Sequence, residues 1–109
     1  MNWFPKEIWE IERPDPQGHE QAGKRPGIIM AISYGMTVVI PFSTKTQLAS
    51  LPHAHLVMAD KQNNLSHESV AMCFQIVSVS EECIRRKIGV ISDSDYEAIL
   101  ELVKDMFQI

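Results

Sequence analysis

The sequence predicts a mainly β domain: an antiparallel sheet, curled into a small barrel, with an appended C-terminal helix. Three observations predict it. Short runs rich in Val, Ile and Thr recur between Ile8 and Val79 and are separated by turn residues. Apolar residues near the end of the chain switch to three- and four-residue steps, the period of a helix. The length, 109 residues, allows one domain with a single modest core.

The elements follow in order. Ile8, Trp9 and Ile11, interleaved with Glu10 and Glu12, read as a first strand with one wet face, ended by Pro14. Residues 14–27 hold Pro14, Pro16, Pro26, Gly18, Gly23 and Gly27 and no apolar period. They read as a long loop, and a loop of that length in a small domain usually carries function or lacks order. Ile28 to Ile32 is a strand, Tyr34-Gly35 a turn, and Thr37 to Phe42 the second arm of a hairpin. Pro41 predicts that this arm ends or lies at a sheet edge there. Ser43 to Pro52 is a polar connection, His55 to Ala59 a strand, Lys61 to Asn64 a turn, and Val70 to Val79 a long strand interrupted by Gln75. Ser80 to Arg86 reads as one or two turns of helix, with Gly89 ending the region. Ser92 to Asp95 supplies an N-cap and first-turn acids. Tyr96, Ile99, Leu100, Val103, Met106 and Phe107 then form the stripe that packs on the sheet.

Composition removes several classes of function. The chain is 45% hydrophobic, too much for a disordered segment. No apolar run approaches the ~18 residues of a membrane span. The start lacks a basic region followed by an apolar stretch, so the expected compartment is the cytoplasm. A net charge of −4 argues against tight non-specific binding to duplex nucleic acid. Cys73 and Cys83 make no disulfide scaffold and no CxxC, and Cys73 reads as a buried small hydrophobe. His53 and His55 are two ligands at most, too few for a metal site, and no cofactor is expected.

The polar chemistry concentrates in Gly18-His19-Glu20-Gln21-Ala22-Gly23-Lys24-Arg25-Pro26. Arg25 offers a planar fork of donors suited to a phosphate or carboxylate. His19 titrates near neutral pH and can move a proton. The competing reading is a solvated loop in which Arg25 pairs with Glu20 or a carbonyl.

This segment, after one strand and before an apolar one, resembles the signature of the PemK/MazF family of type II toxin endoribonucleases. Further segments resemble the family in order and spacing: Glu7-Ile8-Trp9-Glu10-Ile11, Val38-Val39-Ile40-Pro41-Phe42-Ser43-Thr44, Glu68-Ser69-Val70-Ala71 through Gln75-Ile76, and Lys87 to Tyr96. The resemblance spans nearly the whole chain, as a single domain. It implies an SH3-like β-barrel with appended helices, a homodimer, an antitoxin protein that masks the site, and cleavage of single-stranded RNA without a metal.

Such cleavage uses the 2′-hydroxyl of the RNA itself. The site must accept its proton, hold charge on the phosphoryl oxygens and help the 5′-oxygen leave. Arg25 matches the family's loop arginine and is assigned to the phosphoryl oxygens; its pKa above ~12 makes it a poor base. Ser43 aligns with the family's threonine, with Thr44 adjacent, and either hydroxyl can bond the phosphate; without the resemblance both read as turn caps. His19 is the proton-transfer candidate. Glu20, Gln21, Lys24, Thr44, Lys45 and Gln75 are candidate RNA contacts. The chain departs from the family at Met72 and Phe74, where some members carry a charged pair for proton transfer, and at Val77, where many carry arginine. The departures favour a second reading: a catalytically impaired member acting as an RNA-binding or protein-interaction module. Arg85-Arg86-Lys87 reads as a solvated turn or an RNA-side patch. Trp3, Phe4 and Trp9 read as core, dimer surface or stacking platforms for bases.

Overall fold

The computed structural model describes residues 2–13 and 23–109. Seven strands form an antiparallel arrangement: β1 (Glu7–Arg13), β2 (Gly23–Ser33), β3 (Met36–Ser43), β4 (Ala54–Val57), β5 (Ser69–Met72), β6 (Val77–Ser80) and β7 (Ile84–Val90). Helix α1 (Asp93–Phe107) follows. Their order is β4-β5-β3-β2-β1-β7, with β6 also paired to β3. Among the described residues no ladder closes this sheet into a complete barrel.

The β2–β3 hairpin turns at Tyr34 and Gly35, both left-handed (φ 55° and 79°), between the paired Ser33 and Met36. Two left-handed residues define the turn whose twist matches that of paired strands. β3 then serves two partnerships. Met36 to Val39 pair with β6, whereas Phe42 and Ser43 pair with β5. Pro41 therefore neither ends the strand nor lies at an edge: it pairs with Gly27 at the corner where β3 changes neighbours.

That corner also breaks the expected strand from Val70 to Val79. The chain runs along one part of β3 as β5, makes a 3-10 turn over Cys73–Gln75, and returns to another part as β6. A straight strand cannot follow a partner that changes direction. The expected helix at Ser80 to Arg86 shrinks to one 3-10 turn, Glu81–Cys83. Arg85 and Arg86 lie in β7, and Gly89 is inside that strand rather than at its end. Gly89 is there because a Cβ would sit 2.4 Å from the carbonyl oxygen of Asn63. The Asp60–Asn64 turn is pressed against β7, and Val90 N donates to Gln62 O at 2.9 Å.

Asn63 holds that turn from inside. It is fully buried; its Oδ1 accepts from Asp60 N and Leu65 N, and its Nδ2 donates to Met58 O. A buried amide with all these partners stabilises the turn, whereas an apolar residue there would strand the backbone groups.

The apolar residues form two clusters on opposite faces of β2 and β3. The larger unites Ile8, Ile28, Ile40, Phe42, Val57, Leu65, Ala71, Cys73, Ile91 and Ile99, with Tyr96, Leu102 and Val103 of α1 against it. The smaller unites Ile11, Ile29, Val39, Val79 and Ile84, closed by Trp3 and Trp9. β1 thus has no simple wet face: Ile8 enters one cluster, and Trp9 and Ile11 the other. On α1 the seat is Tyr96, Ile99, Leu102 and Val103, while Phe107, expected in the stripe, is 56% exposed.

Ser92 caps α1, its hydroxyl accepting from Asp95 N at 3.2 Å. Two histidines tie the helix to the segment around β4. His55 Nε2 lies 2.8 Å from Asp95 Oδ1, and His53 Nε2 lies 2.9 Å from Asp105 Oδ2. Each histidine is thus engaged by a helix carboxylate. No helix is long and apolar enough to cross a membrane, among the described residues.

Candidate functional site

Strand β2 begins at Gly23, so Lys24, Arg25 and Pro26 are strand residues and not loop, correcting the expected loop of residues 14–27. The ladder with β1 extends to the start of β2, pairing Gly23 with Arg13, Lys24 with Glu12, Arg25 with Ile11 and Pro26 with Glu10. Pairing of β2 with β3 starts only at Gly27, so the missing N–H of Pro26 breaks no bond on that side. His19, Glu20 and Gln21 lie outside the described residues.

Alternation along β2 sorts the cations by face. Arg25 shares a face with Gly27 and Ile29, the face of the smaller cluster. Lys24 shares the other with Pro26 and Ile28. On β3, Ser43 and Pro41 share the face of Val39, which again belongs to the smaller cluster. Gly27 pairs with Pro41, and Arg25 and Ser43 each lie two residues beyond that pair in the same direction. The register therefore brings Arg25 and Ser43 to one end and one face of the hairpin.

Ser43 is 8% exposed, and its Oγ accepts from Lys45 N at 3.1 Å. The hydroxyl thus closes the turn that leads into the 3-10 segment Thr46–Ser50. Thr44 and Lys45 follow on the exposed surface. Gln75 is also exposed, in the 3-10 turn between Ala71, paired with Phe42, and Val77, paired with Val39.

The departures from the family pattern are structurally plain. Met72 is 3% exposed and Cys73 fully buried in the larger cluster. Burial pushes the Cys73 thiol up to about 11, so it is neither nucleophile nor proton carrier near neutrality. Cys73 and Cys83 are both free thiols. Phe74 is 39% exposed.

Arg85, Arg86 and Lys87 form neither a turn nor an unopposed basic patch. Each meets a carboxylate of β1: Arg85 with Glu12 at 3.3 Å, Arg86 with Glu10 at 3.6 Å and Lys87 with Glu7 at 3.0 Å. Burial by itself raises the Glu7 carboxyl. Hydrogen bonds from Trp9, Lys87 and Phe4 N, with the Lys87 charge, outweigh it and hold Glu7 below its ordinary value. The Trp9 indole donates to Glu7 Oε1 at 2.9 Å, and Trp3 Nε1 donates to the fully buried Thr37 hydroxyl at 2.9 Å. Trp3 and Trp9 meet edge to face, with centroids 5.5 Å apart, so both belong to the protein's own core. Phe4 alone of the three aromatic candidates is largely exposed, at 63%.

A second polar feature escaped sequence reasoning. A cleft of about 310 Å³ lies between the β1–β2–β7 surface and the segment Asn64–Ser66, with Glu10, Lys24, Arg25, Pro26, Leu65 and Arg86 in its wall. Its signal in the sequence is faint: acids at positions 7, 10 and 12 face bases at 87, 86 and 85 in reverse order, as antiparallel partners would.

The curled antiparallel sheet closed by a C-terminal helix is the fold of MazF proteins. It superposes on the toxin MazF-mt6 of Mycobacterium tuberculosis with a TM-score of 0.75 at 20% identity, covering 94% of this chain and 97% of that one. The MazF of Deinococcus radiodurans gives 0.77 at 14% identity, covering 96% of each. An endoribonuclease from a mycobacterial species, solved with its cognate antitoxin, gives 0.73 at 12% identity, covering 96% of this chain and 94% of that one. No curated protein matches the chain in sequence. The model of the PemK-like, MazF-like toxins of type II toxin-antitoxin systems matches residues 5–107, and the chain belongs to that family.

Proposed function

We propose that this protein is the toxin of a type II toxin-antitoxin pair and cleaves single-stranded RNA at selected sequences without a metal ion. The observation that carries the reading is the meeting of Arg25 and Ser43 on one face at one end of the β2–β3 hairpin, in a chain of this family. The 2′-oxygen attacks the adjacent phosphorus, and the bond from phosphorus to the 5′-oxygen breaks. His19 takes the 2′-proton, and the departing 5′-oxygen gains one from the site or from water. Arg25 holds the phosphoryl oxygens as their charge rises, and Ser43 or Thr44 donates a hydrogen bond to the same group. Glu20, Gln21, Lys24, Lys45 and Gln75 contact the flanking nucleotides. The products are a 2′,3′-cyclic phosphate and a 5′-hydroxyl.

Incubating the purified protein with a long RNA and EDTA, then mapping the new ends, tests this directly. Cleavage should persist and leave 5′-hydroxyl ends. Loss of cleavage on chelation, or 5′-phosphate ends, would sink the mechanism.

Met72 and Phe74, 3% and 39% exposed, stand where other members carry charge and favour one alternative: a member impaired in cleavage that still binds RNA or protein. Binding of RNA without new ends in the same assay identifies it. The protein is further proposed to act in the cytoplasm, to form a homodimer and to be masked by a cognate antitoxin. With Trp3 and Trp9 inside the protomer, the dimer argument rests on the family and on apolar surface such as Phe4 and Met58, 63% and 60% exposed. Light scattering at micromolar concentration should give about twice the 12.4 kDa of one chain; a mass near 12.4 kDa would remove the dimer.

A further inference from the structure

We propose that the cleft between β1–β2–β7 and Asn64–Ser66 binds a guanine base of the RNA. It would then select the sequence presented to Arg25; this rests on the proposal that single-stranded RNA is the ligand. The cleft adjoins the Arg25–Ser43 end of the hairpin, since Arg25 lines it together with Lys24 and Pro26. Its volume of about 310 Å³ has room for a single nucleotide.

The wall has the composition of a base pocket and not of a bare phosphate site. Pro26, Leu65 and Ile88 supply apolar contact for the flat face of a base. The polar groups include both an acceptor and a donor, side by side: the Glu10 carboxylate and the Arg86 guanidinium, 3.6 Å apart. The pair is loose. Glu10 is largely covered, at 19% side-chain exposure, whereas Arg86 is 70% exposed and free to swing.

Guanine fits this juxtaposition best. Its N1–H and exocyclic N2–H are adjacent donors and match the two oxygens of one carboxylate. Its O6 acceptor lies beside N1–H, as Arg86 lies beside Glu10. Adenine and cytosine turn an amino group toward that place and offer no second donor next to it. Uracil pairs one donor with one acceptor and leaves a carboxylate oxygen unmet. A buried polar group left without its partner is what makes such a site discriminate. Lys24, exposed at the rim, is placed for the phosphate that joins this nucleotide to the strand.

The test is titration of the intact protein with each of the four nucleoside 3′-monophosphates, followed by amide resonances. The guanosine nucleotide should move the signals of Glu10, Leu65, Arg86 and Ile88 and bind at least about tenfold tighter than the other three. Glu10→Gln should abolish that preference, because one amide oxygen cannot accept both guanine donors. No response at these residues, equal binding of all four, or a preference that survives in Glu10→Gln would overturn the proposal. Response to an oligoglutamate peptide but to no nucleotide would overturn it in favour of an acidic protein partner. The wild-type titration needs no variant to fold. The cleavage assay separates the two readings: guanine preference without cleavage leaves the cleft assignment standing and removes the enzyme, and cleavage without guanine preference does the reverse.

Discussion

The two faces of the β2–β3 hairpin differ in what lies behind them. One face rests on the larger cluster, ten buried residues sealed by α1, so a lost side chain there leaves a hole that many fixed neighbours cannot fill. The other rests on five buried residues closed by two tryptophans that keep partial contact with solvent. Arg25 and Ser43 lie at the end of this lighter face. The contrast suggests a division of labour: most of the folding stability comes from the helix-covered side, and the polar chemistry sits where little packing depends on it.

Paired truncations test this contrast most strongly. Ile28→Ala and Ile29→Ala remove the same atoms from adjacent, fully buried positions on opposite faces. Urea unfolding should show a loss of roughly 4 kcal/mol for Ile28→Ala and roughly 2–3 kcal/mol for Ile29→Ala, whose neighbours can settle inward. Equal losses would erase the distinction between the clusters.

Arg25→Ala sharpens it from the functional side. Cleavage should fall by at least about 100-fold, about 2.7 kcal/mol of transition-state stabilisation, with folding stability changed by less than about 0.5 kcal/mol. Unaltered cleavage would take Arg25 out of the mechanism, and an unfolded variant would make it a structural residue.

Two smaller effects probe the closure of the lighter cluster. Trp3→Phe keeps a ring but removes the donor to Thr37, leaving that buried hydroxyl short of a partner; thermal unfolding should report a loss of roughly 1–1.5 kcal/mol. Glu7→Gln should cost about 1 kcal/mol at neutral pH. The sign of its pH dependence follows from Glu7 lying below its ordinary 4.5 in the folded protein. The carboxylate's contribution is complete above 4.5 and is lost as pH falls through the lowered folded value. The gap between wild type and Glu7→Gln should therefore close in acid, and a gap that widened there would contradict the Glu7 network.

The strands themselves were legible wherever hydropathy and turn chemistry agree locally. Tyr34-Gly35 fixes its hairpin, and the three- and four-residue steps after Ser92 fix the helix, because neighbours in sequence make those interactions. Arg25 and Ser43 were legible as candidates because residue type carries their chemistry. Where the reading failed, the partner lay far away in the chain. Lys24 to Gly27 looked like loop because Pro and Gly dominate there, yet the β1 ladder holds them as strand. Arg85 to Lys87 looked like a basic turn, yet three carboxylates over seventy residues earlier hold them in β7.

The sequence by itself determined the class of fold, the position of each main apolar run and the residue types able to handle a phosphate. These depend on side-chain chemistry and on periods spanning a few residues. Only the tertiary structure decided that β3 changes partners at Pro41, that Gly89 must yield its Cβ space to Asn63, and that Glu10 and Arg86 share the wall of a cleft. Each depends on strand register, which is set by the simultaneous burial of both faces of a curved sheet. No local period encodes that condition, because shifting one strand by a single residue would exchange its two faces.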